Sequence, residues 1–474
     1  MTTNLWKLSA TETARHIKDG DISCESVMSS HIGRLNQTKV LNAVTTRFDE
    51  NALQAAREAD KALAKGKEIG LLHGVPITIK ENTDQKGCAT SHGILDFKDQ
   101  LSKEDSPLVK NLIEAGAIPL GRTNSPELAW RFHTENELFG ATLNPWNKEL
   151  TPGGSSGGAA SSVAVGVGCI AQGNDLGGSI RGPAYCCGVT GIRPTQGRIP
   201  FYNDTSMAER PITVQLASVQ GPIARNVADA KLAYEVMQGV SSLDTWSLPN
   251  FAIERSYITK IALVKDPICL GIHPAINSAL DNAASIYREA GYTVEIATPP
   301  SLKEINETYM RLMFTEMSLV KDTIISKYGS GQIKRVLEHY LQIGKPLDLA
   351  GYARALSRRS HFHREWDQFQ LEYPIILAPV LTTPPFRAGQ DMESIEAVEA
   401  IIDSACCMAT MNFLDLPSMS VPTDVRELNI PIGVQVIGPR YGENMCFEAA
   451  QILEDAFGCP SDELLNTQAS SSSN

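Results

Sequence analysis

The sequence of 474 residues has no apolar run long enough to cross a membrane. Its longest nearly apolar stretch, residues 159–173, is shorter than the roughly 20 residues that a spanning helix needs, and it is rich in glycine. The N-terminal residues also lack the cationic segment and apolar core that mark an export signal. These absences predict a cytoplasmic protein that does not bind a membrane.

Positive charge is scarce as well. The chain has 42 Lys and Arg residues against 54 Asp and Glu residues, which gives a formal net charge of −12. A chain with this balance has no general attraction for phosphate backbones, so we expect no nucleic-acid partner. The ten cysteines include no C-x-x-C pair, which excludes the commonest zinc and dithiol motifs. We expect reduced, buried thiols and no metal.

The pattern of helices and strands indicates an α/β protein. Ser9 and Glu12 match a capping box, and helical periodicity continues to a glycine stop at Gly66. Short apolar runs typical of strands then alternate with helical stretches, as expected of strands joined by helical crossovers. We therefore predict a mixed, mostly parallel central β-sheet covered by helices on both faces.

The sequence predicts a single large domain. There is no internal repeat and no shift in composition that would mark a linker, so residues 1–466 are predicted to form one large domain. Residues 1–66 form its N-terminal helices. Residues 301–370, the helical segment, have helical periodicity and are expected to cap a cleft. Residues 467–474 are of low complexity, and we expect them to be disordered.

One stretch, residues 153–191, is unusual for its small side chains. It holds 12 of the 36 glycines, and its only formal charges are Asp175 and Arg181. Glycine lets the backbone approach a ligand closely, and two isolated opposite charges in an apolar stretch suggest a buried pair. We interpret the stretch as an active-site floor whose loop is fixed by Asp175 and Arg181.

Three side chains are candidates for chemistry: Lys80, Ser155 and Ser179. A serine hydroxyl needs a base, and none of the nine histidines lies in a distinctive setting. Lys80 ends the apolar run VPITIK, and desolvation there would lower its pKa into the range useful for a general base. Taken singly, each candidate has a plain alternative, a solvent-facing lysine at a strand end or a Gly-Gly-Ser turn.

The combination of motifs resembles the amidase signature family of serine hydrolases. The motifs are GVPITIKEN, GRTNSPELAW, FGATLNPWN, TPGGSSGG, DLGGSIRGPA, CGVTGIRPTQGRIP, LPSMSVPTD and IPIGVQVIGPRYGE, in this order along nearly the whole chain. The resemblance implies the amidase signature fold and cleavage of linear amides without a cofactor. It also implies a small-molecule amide substrate, with esters or carbamates as alternatives. The sequence leaves the oligomeric state open, with a homodimer as one alternative.

The resemblance also implies roles for particular residues. Ser179 would be the nucleophile, Ser155 the bridging serine on a cis peptide bond, and Lys80 the base. The backbone N–H groups of Leu176, Gly177, Gly178 and Ser179 would form the oxyanion hole.

Three further residues, Trp130, Phe132 and Gly182, are candidates for the substrate pocket, although the two aromatic residues are equally typical of an ordinary core. The chain departs from the family pattern at three positions. These are Asn174, where the family often has Thr or Ser, Gly182, where it often has a larger residue, and Glu81, where it often has Asp.

Three rival interpretations use the same residues. The glutaminase component of a tRNA-dependent amidotransferase usually has Gln where this chain has Gly182, which counts against that activity. Residues 153–157 satisfy the G-x-S-x-G elbow of α/β-hydrolases, but the preceding residues 144–152 read as a polar loop rather than the required strand. A binding module without catalysis would not need an intact Lys80, Ser155 and Ser179.

Overall fold

The computed structural model describes residues 4–206, 208–251 and 259–470, and within them one sheet of eleven strands organises the fold. The sheet order is β1-β3-β2-β6-β8-β7-β12-β13-β11-β9-β10, and β4 and β5 form a separate two-stranded hairpin. The strands are β1 (Val44–Arg47), β2 (Pro76–Lys80), β3 (Ile118–Thr123), β4 (Glu135–Asn136), β5 (Gly140–Ala141), β6 (Ile170–Asp175), β7 (Thr190–Arg193), β8 (Val219–Ala224), β9 (Lys260–Leu263), β10 (Thr293–Ile296), β11 (Ile375–Pro379), β12 (Ser418–Glu427) and β13 (Ile430–Ile437).

The helices are distributed along the whole of the described chain. They are α1 (Ala10–Lys18), α2 (Cys24–Gln37), α3 (Asp49–Ala64), α4 (Pro107–Glu114), α5 (Gly157–Ala164), α6 (Arg181–Cys187), α7 (Ile212–Ala217), α8 (Val227–Met237), α9 (Pro274–Glu289), α10 (Leu302–Val320), α11 (Ser326–Tyr328), α12 (Gly331–Gly344), α13 (Leu349–Glu372), α14 (Ile395–Ser404), α15 (Cys406–Phe413), α16 (Glu443–Phe457) and α17 (Ser461–Ser470). Among these helices, none combines the length and apolar character that crossing a lipid bilayer demands.

Helices pack on both faces of the sheet, as predicted. Successive residues of β11 point to opposite faces because a strand has a repeat of two. Ile375 and Leu377 join the core beneath α8, α9 and α16, whereas Ile376 and Ala378 join the core beneath α10, α13 and α15. The chain is thus a single α/β domain whose mixed sheet lies between two helical layers.

The prediction of a mostly parallel sheet is wrong. Within the described sheet, six of the ten neighbouring strand pairs are antiparallel. Parallel pairing is confined to β2 with β3 and β6, and to β9 with β10 and β11. For β12 and β13 the cause is local, because a two-residue turn joins them and its residues Leu428 and Asn429 both have positive φ. Such a turn connects only antiparallel strands.

The predicted segments correspond to recognisable parts of the structure. Residues 1–66 contain α1, α2 and α3 with the unpredicted strand β1 between them, and residues 301–370 are occupied mainly by α10 to α13. The segment expected to be disordered, residues 467–474, overlaps the end of α17, and its last four residues lie outside the described ones.

Parallel pairing brings the functional residues together. Strand β2 lies beside β6 with Thr78 opposite Ala171, so both strands end at the same edge of the sheet. Lys80 is the last residue of β2, and Asp175 is the last residue of β6. A ligand site at the carboxyl ends of parallel strands follows from this arrangement.

Candidate active site

Lys80 is fully buried and its amine has three oxygen partners. Its Nζ lies 2.7 Å from Ser155 Oγ, 3.0 Å from Ser156 Oγ and 2.7 Å from Asn174 Oδ1. The backbone N–H of Lys80 donates to Gln172 Oε1 at 3.0 Å, which ties the end of β2 to β6. The lysine therefore points to the serines and not to solvent.

Burial lowers the pKa of Lys80 to about 7, although the carboxylates of Asp175 and Glu81 oppose the shift. Desolvation disfavours the ammonium form of the amine and so favours the neutral base. A lysine with a pKa near neutrality can accept a proton from a neighbouring hydroxyl at ordinary pH.

Ser155 lies just before α5, and the peptide bond between Gly154 and Ser155 is cis. A Cβ at Gly154 would lie 2.3 Å from the carbonyl oxygen of Arg131, so a side chain does not fit there. Ser155 itself is 1% exposed. Close packing of the backbone therefore holds its hydroxyl against the lysine.

Ser179 is half-buried in the turn that connects β6 with α6. Gly178 has φ of 110°, and a Cβ there would lie 2.8 Å from Met408 Sδ, so the turn requires glycine at this position. The carboxylate of Asp175 accepts the N–H groups of Gly178 at 2.8 Å and Ile180 at 3.0 Å. Asp175 thus fixes the backbone on both sides of Ser179.

Asp175 and Arg181 form a fully buried, bidentate ion pair. Arg181 Nη2 lies 2.9 Å from Asp175 Oδ1, and Arg181 Nε lies 3.1 Å from Asp175 Oδ2. Burial alone would raise the pKa of Asp175, but the Arg181 guanidinium, the Asn412 amide and the Ile180 N–H overcome it and hold this pKa well below its usual range. Arg181 Nη1 donates to Ser418 Oγ and Gln435 Oε1, and Nη2 also contacts the Met408 carbonyl and Asn412 Oδ1.

The expected set of oxyanion donors needs one correction. The backbone nitrogen of Gly178 carries one hydrogen, and this hydrogen is donated to Asp175 Oδ1. In this arrangement the Gly178 N–H is not available to a substrate. Among the described hydrogen bonds, none uses the N–H of Leu176, Gly177 or Ser179. A Cβ at Gly177 would meet no atom within 4 Å, so the space beside it is open.

The three candidate pocket residues lie in different surroundings. Phe132 is half-buried and packs against both major cores. Trp130 packs instead against a small apolar cluster of Ile325, Ile333 and Leu337, and its carbonyl accepts a hydrogen bond from Tyr340. The structure therefore associates Trp130 with the helical segment.

Gly182 is buried in α6, where a Cβ would lie 3.5 Å from Met408 Cε. Met408 thus lies close to both glycines that flank the candidate nucleophile, Gly178 and Gly182. Its buried side chain therefore packs against the turn that carries Ser179.

Several residues of the site are not apparent from sequence. Ser156 and Asn174 both bind the Lys80 amine, and Asn174 Nδ2 donates to Asn82 Oδ1 at 2.8 Å. The departure of Asn174 from the usual family residue is the only signal in the sequence that could have found it. Asn412 is 237 residues from Asp175 in sequence, and nothing local predicts their contact.

Chemically, the site combines a buried lysine of lowered pKa with two serine hydroxyls within hydrogen-bond reach, and Ser179 lies on the glycine turn that follows β6. The backbone N–H groups of Leu176, Gly177 and Ser179, which have no acceptor among the described hydrogen bonds, lie in the same turn. A base, hydroxyls and positioned N–H donors define the class of serine-dependent acyl-transfer enzymes. Among the described residues, no three His, Cys, Asp or Glu side chains form a group fit to hold a metal ion.

The chain belongs to the Amidase family, whose model matches residues 26–447. An indoleacetamide hydrolase of Bradyrhizobium diazoefficiens is 40% identical over 98% of this chain and 89% of its own length. A glutamyl-tRNA(Gln) amidotransferase component of Natranaerobius thermophilus is 30% identical over 95% of this chain and 96% of its own length. A bacterial aryl acylamidase of known structure has a TM-score of 0.84 at 26% identity, covering 97% of this chain and 98% of that one. The protein is an amidase, a hydrolase that cleaves amide carbon–nitrogen bonds.

Proposed function

We propose that the protein hydrolyses amides with Ser179 as the nucleophile, Ser155 as the proton relay and Lys80 as the general base. The observation that carries this proposal is the 2.7 Å contact between the buried Lys80 amine and Ser155 Oγ. A lysine of ordinary pKa would be protonated and could not accept a proton, whereas burial lowers the pKa of this one to about 7.

The proposed reaction has two stages. Ser179 Oγ attacks the amide carbonyl while its proton passes through Ser155 to neutral Lys80. Collapse of the tetrahedral intermediate breaks the C–N bond, and the proton returns through Ser155 to the leaving amine. Water then attacks the acyl-enzyme by the same relay and releases the carboxylic acid and Ser179. Each proton that leaves a nucleophile is returned to a leaving group, so no cofactor is required.

The oxyanion that develops on the substrate needs hydrogen-bond donors. We propose the backbone N–H groups of Leu176, Gly177 and Ser179 as these donors. Tyr309 donates its hydroxyl hydrogen to the Leu176 carbonyl, which anchors the first of these residues to α10. Donors that are already oriented cost little reorganisation as charge develops on the substrate oxygen.

The pH dependence of catalysis follows from the lysine. Below about pH 7 the amine of Lys80 is protonated and inactive as a base, and above it the neutral form dominates. We therefore expect kcat/KM to rise with pH through about 7 and then to level off. Initial rates between about pH 5 and about pH 9 on a neutral amide, at constant ionic strength, measure this limb. A flat profile across this range would contradict a neutral-lysine base.

For the substrate, we propose a small primary amide of an arylacetic acid, such as indoleacetamide. The proposal is supported by two indoleacetamide hydrolases among the relatives, at 40% and 37% identity. The apolar side chains of Leu176, which lies in the nucleophile turn, and of Met408, which packs against that turn, also suit an aromatic acyl group. Release of ammonia as the leaving group requires little space on the amine side.

A substrate panel tests this preference. The purified enzyme is assayed for acid product with indoleacetamide, phenylacetamide, an aliphatic amide, an anilide, a methyl ester, a carbamate and glutamine, with Ser179→Ala as the blank. We expect the arylacetamides to have the highest kcat/KM. Faster turnover of the anilide would instead indicate an aryl acylamidase, and faster ester or carbamate turnover would support the alternatives within this family.

Glutamine hydrolysis for a tRNA amidotransferase is the second candidate function. A relative of that name shares 30% identity over 95% of the chain, which favours it, whereas Gly182 in place of the expected glutamine counts against it. Ammonia release from glutamine, with tRNA-dependent transfer when partner proteins of such a complex are added, would establish this activity. We expect neither.

Three further expectations remain proposals. We propose that the helical segment forms part of the substrate pocket, which is supported by the contact between Tyr340 and the Trp130 carbonyl. A cytoplasmic location is supported by the ten cysteines, all of which are unpaired thiols. A homodimer stays a prediction that light scattering of the purified protein would test.

A further inference from the structure

The amine of Lys80 has more partners than its neutral form has hydrogens. A neutral amine carries two hydrogens and one lone pair, yet three oxygen atoms lie within 3.0 Å of Nζ. At least one of the three must therefore donate to the lone pair. The catalytic proposal requires that donor to be Ser155.

Asn174 restricts which oxygen can donate. Its Oδ1 lies 2.7 Å from Lys80 Nζ and carries no hydrogen, so it can only accept. One lysine hydrogen is thereby committed to Asn174, and the other hydrogen and the lone pair face the two serines. The Ser156 hydroxyl donates its hydrogen to the Asn174 carbonyl oxygen at 3.4 Å. Its oxygen is therefore free to accept a hydrogen from the lysine.

Asn82 determines which end of the Asn174 amide faces the lysine. Asn174 Nδ2 donates to Asn82 Oδ1 at 2.8 Å, so the opposite end, Oδ1, points to Lys80. A reversed amide would place an NH₂ group against the amine and would lose the bond to Asn82. Asn203 holds this loop, because its Nδ2 donates to the Asn82 carbonyl and its Oδ1 accepts the Asp84 N–H.

We propose that Asn174 and Asn82 are positioning residues that commit one hydrogen of Lys80 and direct the lone pair of its neutral amine to Ser155. The inference rests on the proposed function, since it assumes Lys80 as the base. It assigns a catalytic purpose to the side-chain pair formed by Asn174 and Asn82, neither of which contacts the substrate in the proposed mechanism.

The test is the pH profile of Asn174→Asp, a change of nearly equal shape that places a carboxylate beside the amine. The groups that already face Lys80 are Asp175, Glu81, Arg122 and His92, and none of them changes in the variant. A new negative charge at hydrogen-bond distance favours the ammonium form of Lys80. It therefore moves the rising limb of the plot of kcat/KM against pH to higher pH, by about one to three units. Because half of the parent lysine is already protonated at pH 7, we expect kcat/KM at this pH to fall by about 5- to 500-fold and to recover as the pH rises.

Asn282→Asp is the matched control, because it makes the same change at an exposed position of α9. It should leave the profile where the parent has it. A limb in Asn174→Asp that coincides with the parent limb would overturn the inference, as would a loss of activity that is the same at every pH.

Asn82→Ala provides a second test that does not depend on the folding of the first variant. Loss of the acceptor for Asn174 Nδ2 releases the amide, so we expect kcat to fall about 3- to 10-fold at the plateau with KM unchanged. An unchanged kcat would overturn the role of Asn82.

Lys80→Met separates failure of this inference from failure of the proposed function. If Lys80→Met keeps substantial activity, the lysine is not the base and both proposals fall. If Lys80→Met is inactive while Asn174→Asp keeps the parent profile, only the positioning role is wrong.

Discussion

Ser179→Ala is expected to lower kcat/KM by at least about 10⁴-fold, because the nucleophile of a covalent mechanism cannot be replaced by its neighbours. Ser155 is buried against Lys80, 2.7 Å from its amine, and is directed to the lysine rather than to a substrate. The variant should also lose all labelling by a fluorophosphonate probe. Steady-state hydrolysis of indoleacetamide and probe stoichiometry by mass spectrometry measure the two effects.

The fold should survive this substitution, because Ser179 is half-buried and the neighbouring turn is held by Asp175 and not by the serine side chain. Unchanged circular dichroism and thermal unfolding would verify this. Ser278→Ala, which removes a hydroxyl from the exposed side of α9, serves as the control and should keep full activity. Full labelling of Ser179→Ala would rule out Ser179 as the nucleophile.

Arg181→Met is expected to lower the free energy of unfolding by about 3 to 5 kcal/mol, because it leaves the buried Asp175 carboxylate without its cation. Both side chains of the pair are 0% exposed, so solvent cannot replace the lost charge. Activity should fall with stability, since Asp175 holds the N–H groups on both sides of Ser179. Chemical denaturation measures the free energy of unfolding, and an assay corrected for the folded fraction measures the activity.

Arg358→Met is the matched control for this variant. Arg358 pairs with Glu304 at the surface, where both side chains are nearly half exposed, and such pairs contribute about 1 kcal/mol or less. If Arg181→Met and Arg358→Met lower the free energy of unfolding equally, burial of the ion pair does not determine the loss, which would contradict this prediction.

The loss in Arg181→Met should depend on pH in one direction. The folded pKa of Asp175 lies below its unfolded value, so this carboxylate stabilises the fold above its unfolded pKa and loses that contribution as pH falls. The difference between the parent and Arg181→Met should therefore shrink in acid.

Sequence reasoning predicted the parts of the fold that depend on local patterns. Ser9 caps α1 in a capping box with Glu12. The apolar run that ends at Lys80 is the buried strand β2. These features depend on neighbours within a few residues, so the sequence alone contains their signal.

Strand direction and the partners of the site depend on contacts that are distant in sequence. The directions of β7 and β8 are set by pairing across the sheet, and an apolar strand reads the same in either direction. Gln435 is 254 residues from its partner Arg181, and Asn82 is 92 residues from Asn174. Polar side chains of this kind have no local pattern, so only the assembled fold identifies them.

The most direct test of the account locates the acylated residue. The enzyme is treated with a fluorophosphonate, digested and sequenced by tandem mass spectrometry, and inactivation is followed in parallel. We expect one adduct per chain, on Ser179, that forms in proportion to the lost amidase activity and faster as the pH rises through about 7. Full inactivation with the adduct on Ser155, or on any residue other than Ser179, would contradict it.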